Sequence, residues 1–190
     1  MPEGDEARPT SASPPGHRRQ TGDDQGSLLP NLVVAGVEKA GTTSLFDYLR
    51  QHPDICASDL KELNYFLPLR FPGGALSARE EYVGHYAHWR GEPYRLEASP
   101  AYWYGGPRVI TALGEVLSEP RIVISLREPV ARLWSAFTYL KSMGRLDRHV
   151  TIDEYVRKCQ SELGTTDEDG TPRHTPSTCA RGSRRSTIPV

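Results

Sequence analysis

The chain has 190 residues, with 37% hydrophobic and 25% charged residues and a formal net charge of −1. This length suits a single domain, and the near-neutral charge excludes the overall basic field that is typical of nucleic-acid binding. No apolar run approaches the roughly 20 residues that cross a bilayer, and the three cysteines have neither metal-ligand spacing nor an even number for a disulfide framework. We therefore expect a cytoplasmic protein without a membrane span.

The first segment, residues 1–28, is rich in Pro, Gly, Ser, Asp and Arg. It contains neither the apolar stretch of a signal peptide nor an arginine-rich amphipathic pattern. We therefore expect a disordered leader over residues 1–28.

The next segment reads as a strand, a glycine loop and a helix. Apolar residues from Leu32 to Ala35 lead into Gly36, and Gly41 precedes three hydroxyl residues and a helix predicted over Thr43 to Gln51. The backbone N–H groups of such a loop and of the first helical turn converge, and the helix dipole favours negative charge there. This pattern predicts an anion site formed by the N–H groups of Ala40, Gly41, Thr42, Thr43 and Ser44.

The position of the lysine distinguishes this loop from that of a nucleotide-hydrolysing enzyme. In such a P-loop a lysine directly follows the second glycine, and the next hydroxyl residue binds magnesium. Here Lys39 precedes Gly41, and Thr42 follows it. The pattern therefore indicates a P-loop-like anion site without the magnesium ligands.

The later elements alternate between strands and helices. Strands are predicted near 54–57, 94–98 and 121–126, and helices over 78–89, over 107–117 and from Pro129 onward. This alternation predicts an α/β fold, a P-loop-type sandwich with a mostly parallel sheet flanked by helices. After a short helical stretch from Ile152 to Cys159, hydrophobic periodicity is lost, so we expect a partial domain over 29–160 and a disordered or aberrant tail over 161–190.

A second anion site is predicted where the last strand meets its helix. Arg127 follows the apolar run that ends at Leu126, Pro129 suits the first helical turn, and Ser135 lies further along the helix. Ligands of open α/β sheets bind at the carboxyl ends of the strands, and a guanidinium can donate two hydrogen bonds to one phosphate. A surface arginine with a helix-facing serine is an equally open interpretation of this segment alone.

Four motifs, in order between Pro30 and Lys141, resemble those of sulfotransferases that use 3′-phosphoadenosine 5′-phosphosulfate. The similar group includes bacterial enzymes and the heparan-sulfate sulfotransferase domains. The motifs are Gly36-x-x-Lys39-x-Gly41-Thr42-Thr43-Ser44, Lys61-Glu62-x-x-Tyr65-Phe66, Glu97-x-Ser99-Pro100-x-Tyr102 and Arg127-x7-Ser135. The resemblance implies transfer of a sulfuryl group, without a metal, to a hydroxyl of a sugar, lipid or small metabolite. It also implies that the chain is an N-terminal fragment of the family's fold.

The resemblance implies a role for each motif. The loop with Lys39 would bind the 5′-phosphosulfate, and Arg127 and Ser135 would bind the 3′-phosphate. Glu62 is the candidate general base, and a solvated carboxylate paired with Lys61 is an equally open alternative. Ser99 is expected behind the acceptor cleft, whereas Tyr102 is left open between the cleft and the sheet edge.

Other interpretations remain at this point. One is a truncated remnant without catalysis that at most binds nucleotide, and another is a nucleotide kinase or NTPase with an altered P-loop. Trp134 and Phe137 are predicted to be core residues by their helical spacing, in preference to an adenine platform. His85 and His88 are predicted to be surface or packing residues, because the sequence shows no third metal ligand. No pattern indicates an oligomeric state.

Overall fold

A computed structural model of the chain describes residues 28–162. The leader expected over 1–28 lies outside the described residues apart from Leu28. The tail expected over 161–190 likewise lies outside them beyond residue 162. The last described element is a helix that runs two residues past the predicted domain end at 160.

Within residues 28–162 there are four strands, Leu32–Gly36 (β1), Ile55–Ala57 (β2), Tyr94–Ala98 (β3) and Arg121–Ile124 (β4). They form one parallel sheet in the order β2-β3-β1-β4. Leu32 of β1 pairs with Leu96 of β3 on one side and with Arg121 of β4 on the other. The strand order reverses at β1, and such a reversal is where open α/β sheets bind ligands. The predicted fold class is confirmed.

In the described part of the chain, five α-helices accompany the sheet: Thr42–Leu49 (α1), Arg79–Gly84 (α2), Gly106–Leu117 (α3), Pro129–Ser142 (α4) and Ile152–Glu162 (α5). Two short 3₁₀ helices span Leu67–Arg70 and Pro100–Tyr104. The helix predicted over 78–89 was too long, because it ends at Gly84 and continues as tight turns closed by Tyr86, Ala87 and Trp89. Glycine is a poor helix former, and side-chain bonds from Tyr86 to Leu96 and from Trp89 to Glu92 hold the turns instead.

Both faces of β1 are buried, as expected for a central parallel strand. Val33 packs in a cluster with Phe66, Tyr82 and Leu113. Val34 belongs to a second cluster that includes residues of α1 and β3. The carboxyl end of β1 therefore lies between two packed layers.

A separate cluster joins α4 to α5 through Phe137, Leu140 and Tyr155. Phe137 is buried as predicted, but Trp134 is 56% exposed, so its assignment to the core was wrong. Phe137 and Tyr155 supply the aromatic rings of this cluster, and Trp134 lies at its border, 5.8 Å from Phe137 between ring centroids. Within residues 28–162 there is no helix with the length and apolar character to cross a membrane.

Candidate active site

The loop between β1 and α1 combines left-handed backbone with unused donors. Lys39 and Gly41 have φ angles of 65° and 83°. The Leu45 N–H donates to the Gly41 carbonyl at 3.0 Å, where α1 begins. The N–H groups of residues 41–44 come before this bond and therefore have no acceptor within the helix. These groups can therefore bind an anion at the helix N-terminus.

Residues after β4 hold this loop in place. The Val37 N–H donates to the Ser125 carbonyl at 3.0 Å, and the Ser125 Oγ donates to the Ala40 carbonyl at 2.7 Å. Ser125 was not predicted from the sequence. The only indication was that it is a hydroxyl residue near the end of an apolar run. Ala40 differs from the prediction, because its N–H donates to the Val37 carbonyl at 3.3 Å and thereby closes the loop. The anion donors begin at Gly41 instead.

A cleft of about 640 Å³ lies beside this loop. It is bounded by the loop, by residues of the 62–71 segment, by Pro100 and Ala101, and by the inner face of α4. Two carboxylates, of Glu38 and Glu62, line it together with five basic side chains, those of Lys39, Arg70, Arg127, Arg132 and Arg145. The excess of positive charge favours an anionic ligand.

The Lys39 ammonium lies 3.5 Å from the centroid of the Tyr139 ring on α4, a distance typical of a cation–π contact. Partial burial lowers the pKa of Lys39, and the nearby carboxylates of Glu38 and Glu62 oppose that shift. Tyr139 was missed by sequence reasoning. The sequence could have indicated Tyr139 by its position four residues after Ser135, because that spacing places both residues on one helix face.

Arg127 and Ser135 both line the same cleft as Lys39. The Arg127 Nη1 donates to the Lys39 carbonyl at 3.4 Å, which joins the two predicted anion elements. Glu128 caps α4 by accepting from the N–H groups of Val130 and Ala131, and these bonds lower the pKa of Glu128. The cap fixes the start of α4 and with it the position of Ser135.

Glu62 forms the ion pair with Lys61 that was one of its two interpretations, and its role as a general base stays a prediction. Its carboxylate lies 2.6 Å from the Lys61 ammonium and is 54% exposed. It also lines the cleft that contains Lys39. A carboxylate at this position can therefore accept a proton from a group bound in the cleft.

Ser99 and Tyr102 lie behind the cleft wall, where they bind a buried carboxylate. Ser99 is 0% and Tyr102 3% exposed, and both hydroxyls donate to the Glu97 Oε1, at 2.7 and 2.6 Å. Tyr82 donates to the Glu97 Oε2. Burial raises the pKa of Glu97, and the three hydroxyl bonds oppose this shift. Tyr102 thus packs beneath the cleft, and Glu97 binds the hydroxyls of its own motif, a role that sequence reasoning did not assign to it.

The two histidines at i and i+3 make separate local bonds. The His85 Nδ1 lies 2.6 Å from the Asp59 Oδ1, whereas the His88 imidazole donates to the Ala57 carbonyl at 3.0 Å. Across the described residues 28–162, no group of three or more His, Cys, Asp or Glu side chains is arranged to hold a metal. Each imidazole therefore bonds to the segment of residues 57–59.

The chain resembles known proteins over more than half of its length. A crystal structure of a sulfotransferase from Alicyclobacillus acidocaldarius matches with a TM-score of 0.62 and 29% identity, over 70% of this chain and 57% of that one. The membrane-associated sulfotransferase kil1 of Dictyostelium discoideum is 33% identical over 114 residues, which are 58% of this chain and 23% of kil1. The human heparan sulfate glucosamine 3-O-sulfotransferase 3A1 is 27% identical over 128 residues, which are 66% of this chain and 29% of the relative.

No family model matches the chain, and the chain spans less than a third of either curated relative. The parallel sheet and the loop at the end of its central strand define an α/β protein of P-loop type. Within that class, the chain is related to the sulfotransferases, and the resemblance drawn from its four motifs is confirmed.

Proposed function

We propose that the cleft binds 3′-phosphoadenosine 5′-phosphosulfate and that this sulfotransferase-related chain serves transfer of its sulfuryl group to an acceptor hydroxyl. One observation carries the proposal: the Lys39 loop after β1 and the Arg127–Ser135 element after β4 line a single cleft. Two separate anion elements suit a ligand with phosphates at two positions. A single phosphate would need only one of them.

The cleft fits such a ligand in size and charge. Its volume of about 640 Å³ lies within the range of roughly 300 to 1,000 Å³ that is common for small-molecule sites. Its lining contains five basic side chains and two carboxylates. Gly41, Thr42 and Thr43 line the cleft, and Ser44 is not among its lining residues. We assign the N–H groups of residues 41–44 and the hydroxyls of Thr42, Thr43 and Ser44 to the 5′-phosphate.

The residues of the chain have separate roles in the proposed transfer. The sulfur–oxygen bond to the departing nucleotide breaks as a new one forms to the acceptor oxygen, with charge spreading over the sulfuryl oxygens much as in phosphoryl transfer. Lys39 stabilises the charge that develops on the bridging oxygen of the leaving adenosine 3′,5′-bisphosphate. Glu62 accepts the proton of the acceptor hydroxyl. No triphosphate has to be bridged, so the step needs no metal.

Arg127 and Ser135 provide the selectivity of the nucleotide site. A guanidinium forms two parallel hydrogen bonds with a phosphate, whereas a hydroxyl adds one. We assign them to the 3′-phosphate because the family resemblance gives the Lys39 loop to the 5′-phosphosulfate, and Arg127 and Ser135 form the other anion element of the cleft. The acceptor is a sugar, lipid or small-metabolite hydroxyl, and sugars are the first to test because one matched relative is named for heparan sulfate glucosamine.

A transfer assay tests this function. The purified chain is incubated with 3′-phosphoadenosine 5′-phosphosulfate and a panel of glycans, lipids and phenols, with EDTA present. We expect equal amounts of adenosine 3′,5′-bisphosphate and sulfated product from the wild type, and formation of both about 10²- to 10³-fold more slowly from Lys39→Ala. Nucleotide binding without transfer to any acceptor would favour the non-catalytic remnant, and transfer that stops in EDTA would contradict the metal-free step.

A further inference from the structure

The turn that carries Glu62 has an unfavourable backbone conformation. Glu62 and Asn64 have φ angles of 64° and 54°, in the left-handed region. Residues with a Cβ rarely adopt this conformation, and it persists only where the surroundings hold it. The turn therefore depends on contacts outside itself.

Three backbone N–H groups of this segment supply those contacts. The Glu62 N–H donates to the Ala98 carbonyl at 2.9 Å. The Asn64 N–H donates to the Ser99 Oγ at 2.9 Å, and the Phe66 N–H donates to the Tyr102 hydroxyl at 3.4 Å. All three acceptors lie within residues 98–102, directly after Glu97 in the chain.

Glu97 determines the direction of two of these bonds. An ionised carboxylate only accepts hydrogen bonds, and a hydroxyl has one proton to donate. Ser99 and Tyr102 give that proton to the Glu97 Oε1 at 2.7 and 2.6 Å. Their oxygens are consequently left to accept from the N–H groups of Asn64 and Phe66.

The third hydroxyl that donates to Glu97 belongs to Tyr82, and it does not bond to the turn. Tyr82 is 1% exposed, donates to the other carboxylate oxygen, and stacks on the Tyr65 ring at a centroid distance of 4.0 Å. No N–H group of the described chain donates to its hydroxyl. Tyr82 is thus a matched control: equally buried and bound to the same carboxylate, but not part of the path to the turn.

We propose that Glu97 is a positioning residue, which acts through Ser99 and Tyr102 to fix the left-handed turn that presents Glu62 to the cleft beside Lys39. The catalytic consequence rests on the proposed sulfuryl transfer. The positioning itself does not, because it concerns only the hydrogen bonds of the turn. A buried carboxylate with three hydroxyl donors is also costly to leave unpaired, which favours all of its bonds being made.

Two substitutions that each remove one hydroxyl separate positioning from general stabilisation. Ser99→Ala removes the acceptor of the Asn64 N–H, and Tyr82→Phe removes the control hydroxyl. We expect hydrogen exchange at the Asn64 amide to accelerate about tenfold or more in Ser99→Ala and to stay at the wild-type rate in Tyr82→Phe. In a transfer assay, kcat falls by about tenfold or more in Ser99→Ala alone, while the Kd for adenosine 3′,5′-bisphosphate is unchanged in both.

Substitutions at Glu97 itself provide a rescue test. The amide oxygen of Glu97→Gln can still accept from Ser99 and Tyr102, whereas Glu97→Met offers no comparable acceptor. We expect slow exchange at Asn64 and Phe66 to survive in Glu97→Gln and to be lost in Glu97→Met. Ser99→Ala keeps the test decisive should the methionine variant not fold.

Equal exchange at Asn64 in Ser99→Ala and Tyr82→Phe would overturn the inference, as would an unchanged kcat in Ser99→Ala from an active wild type. An inactive wild type that still shows selective exchange would contradict the proposed function and leave the positioning role supported.

Discussion

Two loops that border the cleft contain non-glycine residues in left-handed conformation, and they are held in opposite ways. The loop of residues 37–41 is held mainly through its carbonyls, by Ser125 at Ala40 and by Arg127 at Lys39. The turn at 62–64 is held through its N–H groups, which donate to residues 98–102.

The difference corresponds to what each loop offers a ligand. Holding the first loop by its carbonyls leaves the N–H groups of residues 41–44 free to bind an anion. Holding the second by its N–H groups leaves only side chains, chiefly Glu62, to act in the cleft. The first loop is thus suited to bind an anion, and the second to present the Glu62 carboxylate to the cleft.

The largest expected effect is at the binding loop. Lys39→Ala should lower the rate of sulfuryl transfer by about 10²- to 10³-fold, because it removes a charge that stabilises the departing oxygen. The rate of formation of adenosine 3′,5′-bisphosphate measures this. Lys141→Ala is the control, since Lys141 lies on α4 outside the cleft lining. Equal rates for the two variants would remove Lys39 from the chemistry.

Arg127→Ala should act on selectivity rather than on general binding. Loss of a charge-assisted contact to the 3′-phosphate should reduce the preference for adenosine 3′,5′-bisphosphate over adenosine 5′-phosphate by about 10- to 100-fold. Calorimetric titration of both nucleotides gives the ratio of Kd values. Arg108→Ala on the exposed face of α3 should keep the wild-type ratio. An Arg127 variant with unchanged preference would refute the assignment of the 3′-site.

The pH dependence of binding tests the charge on the first loop. Partial burial lowers the pKa of Lys39 below its ordinary value, so the ammonium loses its proton at a lower pH than that of a free lysine. Affinity for adenosine 3′,5′-bisphosphate should therefore fall as the pH rises through that pKa. Lys39→Arg should retain its affinity over the same pH range, because a guanidinium stays protonated. Parallel alkaline profiles in the two proteins would contradict this explanation.

The smallest expected effect concerns backbone strain, which both loops share. Lys39→Gly and Glu62→Gly should each raise the free energy of unfolding by about 1 kcal/mol, because glycine adopts left-handed φ angles without a Cβ clash. Urea denaturation measures the change. Arg50→Gly, at a φ of −65°, should instead lower stability. A loss of stability at both loop positions would show that their conformation is not strained.

The parts of the molecule that could be predicted from the sequence are those determined locally. Apolar runs indicated the four strands, and glycine spacing indicated the first loop, because each depends on neighbouring residues. Ser125, Tyr139 and the role of Glu97 were missed since their partners lie on other elements, and the sequence does not say which strands and helices meet. The core prediction for Trp134 was wrong for a related reason, because helical periodicity does not reveal which residues of α4 are covered by α5.

The most direct test of the central claim is calorimetric titration of the chain with adenosine 3′,5′-bisphosphate in magnesium-free buffer. We predict micromolar binding at one site, weakened strongly when the 3′-phosphate is removed and abolished in Lys39→Ala combined with Arg127→Ala. Equal affinity for adenosine 5′-phosphate, or binding that requires magnesium and a triphosphate, would contradict the proposed nucleotide site.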